Sequence, residues 1–122
     1  MTHKDTDLWK LSMEFVTEIY TITKIFPSEE KFGLSSQMRR AAVSIPSNIA
    51  EGAARRNARE MMQFVYISLG SLAEVETQLE IAMNLNFIKD CEEANRKIQR
   101  IRCMMVNLIK YLKNKAPKSK GG

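Results

Sequence analysis

Residues 34–60 read LSSQMRRAAVSIPSNIAEGAARRNARE, and the spacing of their apolar positions decides the fold class. Met38, Ala41, Ala42, Ile45, Ile49 and Ala53 recur three or four apart, the period of one helix face. Pro46 falls inside that run. It has no N–H to give the Ala42 carbonyl, and its ring crowds that carbonyl, at a cost of about 3 kcal/mol in a helix interior. The apolar spacing continues through Ile49, so the stretch reads as one kinked helix and not as two elements. Ser44, Ser47 and Asn48 are placed to satisfy the freed backbone group. Gly52 stands where a C-terminal cap belongs, and Asn57 with Glu60 three residues later signals the start of the next helix. Arg39, Arg40, Arg55, Arg56 and Arg59 flank the segment. A costly kink between arginines points to tight packing and to a charged ligand or partner.

The chain on either side continues the helical pattern. Upstream, Leu8, Leu11, Phe15, Ile19, Ile22 and Phe26 predict a first helix over 7–26, with Asp7 as its N-cap and Pro27 as its stop. Trp9, Val16 and Tyr20 add a flanking strip, wider than a monomeric bundle needs, which suggests a subunit contact. The second helix spans 35–52. Downstream, Phe64, Ile67, Leu72, Val75, Leu79, Ala82 and Met83 form the inward side of a third helix over 58–85. Gly70 within it costs about 1 kcal/mol against alanine. Close approach of Ala41 and Ala42 to a Gly70–Ser71 notch would account for it, with Glu74 beside the notch within reach of Arg39 or Arg40. Asp90 and Glu93 make a second capping box. The fourth helix then covers 91–113, with Ile98, Ile101, Met105, Leu108 and Leu112 on its stripe. Four helices with short connections specify an all-α fold, an antiparallel up-down-up-down four-helix bundle with a Pro-kinked second helix. One domain is expected over 7–114, between a disordered stretch over 1–6 and a basic flexible tail over 115–122.

Composition narrows the chemistry. A chain of 122 residues, 44% hydrophobic, can bury one core without covalent staples. Cys91 and Cys103 lie twelve apart in one predicted helix and point about 120° apart, so they read as free thiols of a reduced, cytoplasmic protein. The start, MTHKDTD, lacks the apolar core of a signal peptide, and no run reaches the length of a membrane span. The only histidine, His3, lies outside the predicted helices, which argues against Ser/His/Asp and Cys/His catalysis and against the Glu-x-x-His pairs of di-iron bundles. No Cys-x-x-Cys zinc spacing and no Gly-rich phosphate loop occurs. Glu76 and Glu80, one turn apart, read as solvated helix glutamates before metal ligands. No enzyme activity, metal or cofactor is therefore expected.

The net charge of +5 is uneven: residues 1–59 carry +2, residues 60–90 carry −4 and residues 91–122 carry +7. A basic last quarter suits a polyanion, because each phosphate neutralised releases counterions. It equally suits a solvated helix face and a solubilising tail.

The stretch FPSEEKFGLSSQMRRAAVSIPSNIAEG over 26–52 resembles the signature of the 23S ribosomal RNA intervening-sequence protein family, small four-helix-bundle proteins. FVYISLGSLAEVETQL over 64–79 resembles the family's third helix, and the similarity runs from about Leu8 to Ile88. It is specific because SIPSNIAEG fixes a proline, an asparagine and a glycine at set offsets inside one helix. The resemblance implies a bacterial homo-oligomer, since similar proteins assemble as five-membered barrels. It also implies a link to nucleic acid: members are named for genes within intervening sequences of large-subunit ribosomal RNA. Relatives of the fold are accessory proteins of retroelement reverse transcriptases.

Two functions follow as expectations. In the first, the protein is a non-catalytic binder of RNA or DNA, with Arg39, Arg40, Arg55, Arg56, Arg59, Arg100, Lys110 and Lys113 contacting phosphates. In the second, it is a scaffold for a protein partner, and the arginines flanking the second helix make inter-subunit ion pairs. Pro46, Asn48 and Gly52 are structural in both.

Overall fold

The structure, a computed structural model, describes residues 2–116. Four helices build it: α1 (Asp7–Thr23), α2 (Leu34–Ala53), α3 (Ala58–Asn84) and α4 (Glu92–Lys115), with short 3-10 turns at His3–Asp5 and Ser28–Glu30. Each helix packs on the next in the chain, and α4 returns to α1 to close the bundle. Phe15, Ile19, Met38, Ile45, Leu72, Leu79, Ile98, Ile101 and Met105 are fully buried and fill the centre. No described helix is long and apolar enough to cross a membrane.

The helix starts differ from expectation by single residues. Thr6, not Asp7, caps α1: its extended backbone lets Oγ1 accept the Trp9 N–H at 3.2 Å. Within the segment expected to be disordered, His3–Asp5 form the 3-10 turn, and the His3 ring lies 5.4 Å from that of Trp9. The N-cap of α4 is Cys91 and not Asp90, and its Sγ accepts from Asn95 Nδ2 at 3.3 Å. Asn57 caps α3 as predicted, accepting the Glu60 N–H at 2.9 Å. α1 ends at Thr23, yet Phe26 remains buried and meets the Phe87 ring at 5.5 Å, closing one end of the core. Of the tail, residues 117–122 lie outside the described residues.

The stripe of α3 is shifted in its first half. Val65, Ser68, Leu72, Val75, Leu79 and Ala82 are buried, whereas Ile67 is 51% exposed and Phe64 half-buried. A serine at a core position broke the apolar pattern, but its hydroxyl is satisfied by donating to the Ile45 carbonyl at 2.9 Å. Likewise Ile109 occupies the core position assigned to Leu108, which packs at the margin.

The two helix glycines exchange roles. Gly52 lies inside α2, whose C-cap is Ala54, and is buried against α3. A Cβ there would come within 3.0 Å of the Phe64 Cβ and 3.2 Å of the Met61 carbonyl oxygen. Gly70 is exposed with nothing within 4 Å of a would-be Cβ, so no helix approaches it. Ser71 does reach α2, hydrogen bonding Ser44 at 2.9 Å. Pro46 is buried within a continuous α2. Asn48 Nδ2 donates to the carbonyl and hydroxyl of Ser44 at 2.8 and 2.9 Å, so it braces its own turn and leaves the Ala42 carbonyl to others.

Candidate nucleic-acid interface

The basic residues of α4 divide into two sets by their partners. Lys97 reaches Glu18 of α1 at 3.0 Å, and Arg102 reaches Glu76 of α3 at 2.5 Å, so these cations tie α4 to its neighbours. Burial pushes the Lys97 ammonium down, but the hydrogen bond and charge of Glu18 outweigh it and hold Lys97 above its ordinary value. Arg96, Arg100 and Lys110 are exposed. At 100° per residue they share the face of α4 turned from the core. Arg96 was missed in the sequence because it stands in the run that also supplies Lys97. Its spacing of four from Arg100 was the available signal.

A second group gathers at one end of the bundle. Thr6, Leu8, Ile49, Ala53, Met61, Met104 and Leu108 line one apolar cavity of about 180 Å³, so the start of α1, the α2–α3 turn and the last turns of α4 meet there. Arg55 and Arg56 in that turn and Arg59 in the first turn of α3 therefore share an end with Lys110 and Lys113, all five exposed. Arg55 meets more apolar surface than expected: its guanidinium lies 4.6 Å over the Phe64 ring and 3.8 Å from Glu51.

Arg39 and Arg40 stand apart, towards the other end of α2. Arg39 is half-buried; its Nε donates to Thr23 Oγ1 at 2.8 Å and its guanidinium lies 4.5 Å over Tyr20. The expected pair with Glu74 does not form, because that carboxylate is exposed on α3 while Arg39 turns to α1. The eight predicted cations thus fall on three surfaces: the basic end, the outer face of α4 and the α1–α2 groove.

Other chemistry has little purchase. Glu76 is committed to Arg102, and no group of three or more His, Cys, Asp or Glu among the described residues could hold a metal. Burial pushes the Cys91 thiol up and outweighs the hydrogen bond from Asn95, and the raised value keeps it as the less nucleophilic thiol.

The signature stretch forms the α1–α2 turn and α2, with Ile45, Ile49 and Gly52 buried. The sequence pattern of the family described as 23S rRNA-intervening sequence protein matches residues 4–107. The chain belongs to that family. The match takes in α1, α2, α3 and most of α4, including Arg39 to Arg100, but stops before Lys110 and Lys113. A crystal structure from Bacteroides thetaiotaomicron, of an S23 ribosomal protein family member with unknown function, is similar with a TM-score of 0.77 and 26% identity. The similarity covers 84% of this chain and 98% of that one. No curated protein matches this chain.

Proposed function

We propose that this 23S rRNA-intervening sequence family protein is a non-catalytic protein acting in the cytoplasm, binding RNA or DNA through its basic surfaces. The observation that carries the reading is the convergence of Arg55, Arg56, Arg59, Lys110 and Lys113 on one exposed end. Lys97 and Arg102 pair with carboxylates of neighbouring helices, whereas Arg55 makes a looser contact of 3.8 Å with Glu51, four residues earlier in its own segment. A cluster of like charges repels itself and gains most when a polyanion covers it.

In this reading the protein works as a homo-oligomer, with five subunits as in similar proteins. The exposed side of α3 carries Tyr66 (47% exposed) and Ile67 (51%) one turn before the open Gly70, apolar surface suited to a second copy. A ring of five would carry a formal charge of about +25 and bind a strand at several points. That same apolar face favours the second reading, a scaffold for a protein partner. The test is the affinity of unrelated RNA sequences for the wild-type protein at several salt concentrations. The nucleic-acid reading expects similar affinities that fall steeply with salt. Absent binding at low salt moves the assignment to the scaffold.

A further inference from the structure

The α1–α2 groove carries chemistry that the basic end lacks. Phe32, in the turn before α2, is 89% exposed. Burying such a ring is favourable, and the fold leaves that gain unrealised. The Lys31 ammonium lies 5.5 Å from its centroid. Across the groove the Arg39 guanidinium lies 4.5 Å from the Tyr20 ring centroid, tied there by its bond to Thr23. Tyr20, Lys31, Phe32, Ser36, Arg39 and Arg40 line a groove of about 650 Å³, and no acidic residue lines it.

We propose that this groove holds an unpaired nucleotide of a single strand, its base stacked on Phe32 and its flanking phosphates on Lys31 and Arg40. The inference rests on the nucleic-acid reading and deepens it by naming the strand form. Three cations without a carboxylate suit a polyanion better than an apolar protein surface. Exposed rings between those cations offer what an unpaired base needs, since every base has a face to stack and a paired base does not expose it. Arg39, tied to Tyr20 and Thr23, adds a third positive charge to the groove wall. Phe32 sits in a turn, so no helix must move to admit the base.

The experiment measures affinity for a single-stranded RNA oligomer, an abasic phosphate strand of the same length and a duplex. Wild type is compared with Phe32→Ala, Phe32→Trp and a Lys31→Ala/Arg40→Ala double variant, with assembly mass measured on each sample. Phe32→Ala is expected to weaken the single strand by about 5- to 150-fold, with abasic and duplex affinities and the salt slope unchanged. Phe32→Trp restores the binding. The double variant weakens all three ligands and flattens the slope. Wild-type affinity in Phe32→Ala, an equal loss for the abasic strand, or a fall in mass with binding intact overturns the proposal. The last outcome assigns the ring to a second copy. Adenosine monophosphate competing at the strand's own affinity also overturns it, in favour of a free nucleotide. If wild type binds all three ligands equally with a steep salt slope, the basic-end reading stands and this one fails. Binding of none removes both.

Discussion

Gly52 of α2 lies so close to Phe64 of α3 that a methyl group on it would sit 3.0 Å from the Phe64 Cβ. The Met61 carbonyl, 3.2 Å away, is backbone and cannot swing aside. Gly52→Ala is therefore expected to lose about 1–3 kcal/mol by overpacking, although alanine is the better helix former by about 1 kcal/mol. Gly70→Ala meets open space and should gain about 0.5–1 kcal/mol. Chemical denaturation of both variants checks the pair. Equal effects would show that the α2–α3 packing does not depend on Gly52, and a loss of assembly in Gly70→Ala would place a second copy on α3.

Gln78 is 5% exposed, and its Oε1 accepts no hydrogen bond. A buried carbonyl without a donor costs about 1–3 kcal/mol. Gln78→Met keeps the length of the side chain and removes that group, so a gain of about 1 kcal/mol is expected. A lower denaturation midpoint would mean that the amide is satisfied by something beyond the chain.

The Lys97–Glu18 bridge gives a pH dependence with a definite sign. Lys97 is held above its ordinary 10.5, so its stabilisation is present below that value and is lost as pH rises through the raised one. Lys97→Met should cost about 1–2 kcal/mol near neutral pH. The difference from wild type should hold to about pH 9 and shrink above about pH 10.5. Urea denaturation across that range measures it, and a difference that grows on the alkaline side contradicts the assignment.

Pro46→Ala restores a donor to the Ala42 carbonyl, and intrinsic propensity alone predicts a gain approaching about 3 kcal/mol. Pro46 is buried beside Trp9, Met13 and Val16, whose groove its ring helps to line. The variant is expected to gain little or nothing, because packing offsets the new bond. A large rise in melting temperature with unchanged assembly would show that the proline at position 46 serves no packing purpose.

The helix count, the family and most of the core were legible because apolar residues at spacings of three and four survive tertiary packing. The first half of α3 was not. Ser68 occupies a core position and hides the stripe, and only its bond to Ile45 across the bundle explains a serine there. Gly70 drew attention as a helix breaker, whereas Gly52 looked like a cap. Which glycine meets a neighbour depends on rotation of α2 against α3, which spacing along one helix does not carry. Among the cations, sequence marked the exposed arginines of the α2–α3 turn. It could not show that Arg39 is engaged by Tyr20 and Thr23, or that Phe32 faces outward beside Lys31.

The central claim is that the basic end holds RNA through phosphates, and the Arg55→Ala/Arg56→Ala/Arg59→Ala variant tests it most directly. The measurement is RNA affinity against salt for wild type and the triple variant, with assembly mass determined on the same samples. The account predicts similar weakening across unrelated sequences, a slope flattened by up to about 0.7–0.9 for each phosphate no longer neutralised, and unchanged mass. An unchanged slope, or a smaller oligomer from a protein whose wild type shows no RNA affinity, would contradict it.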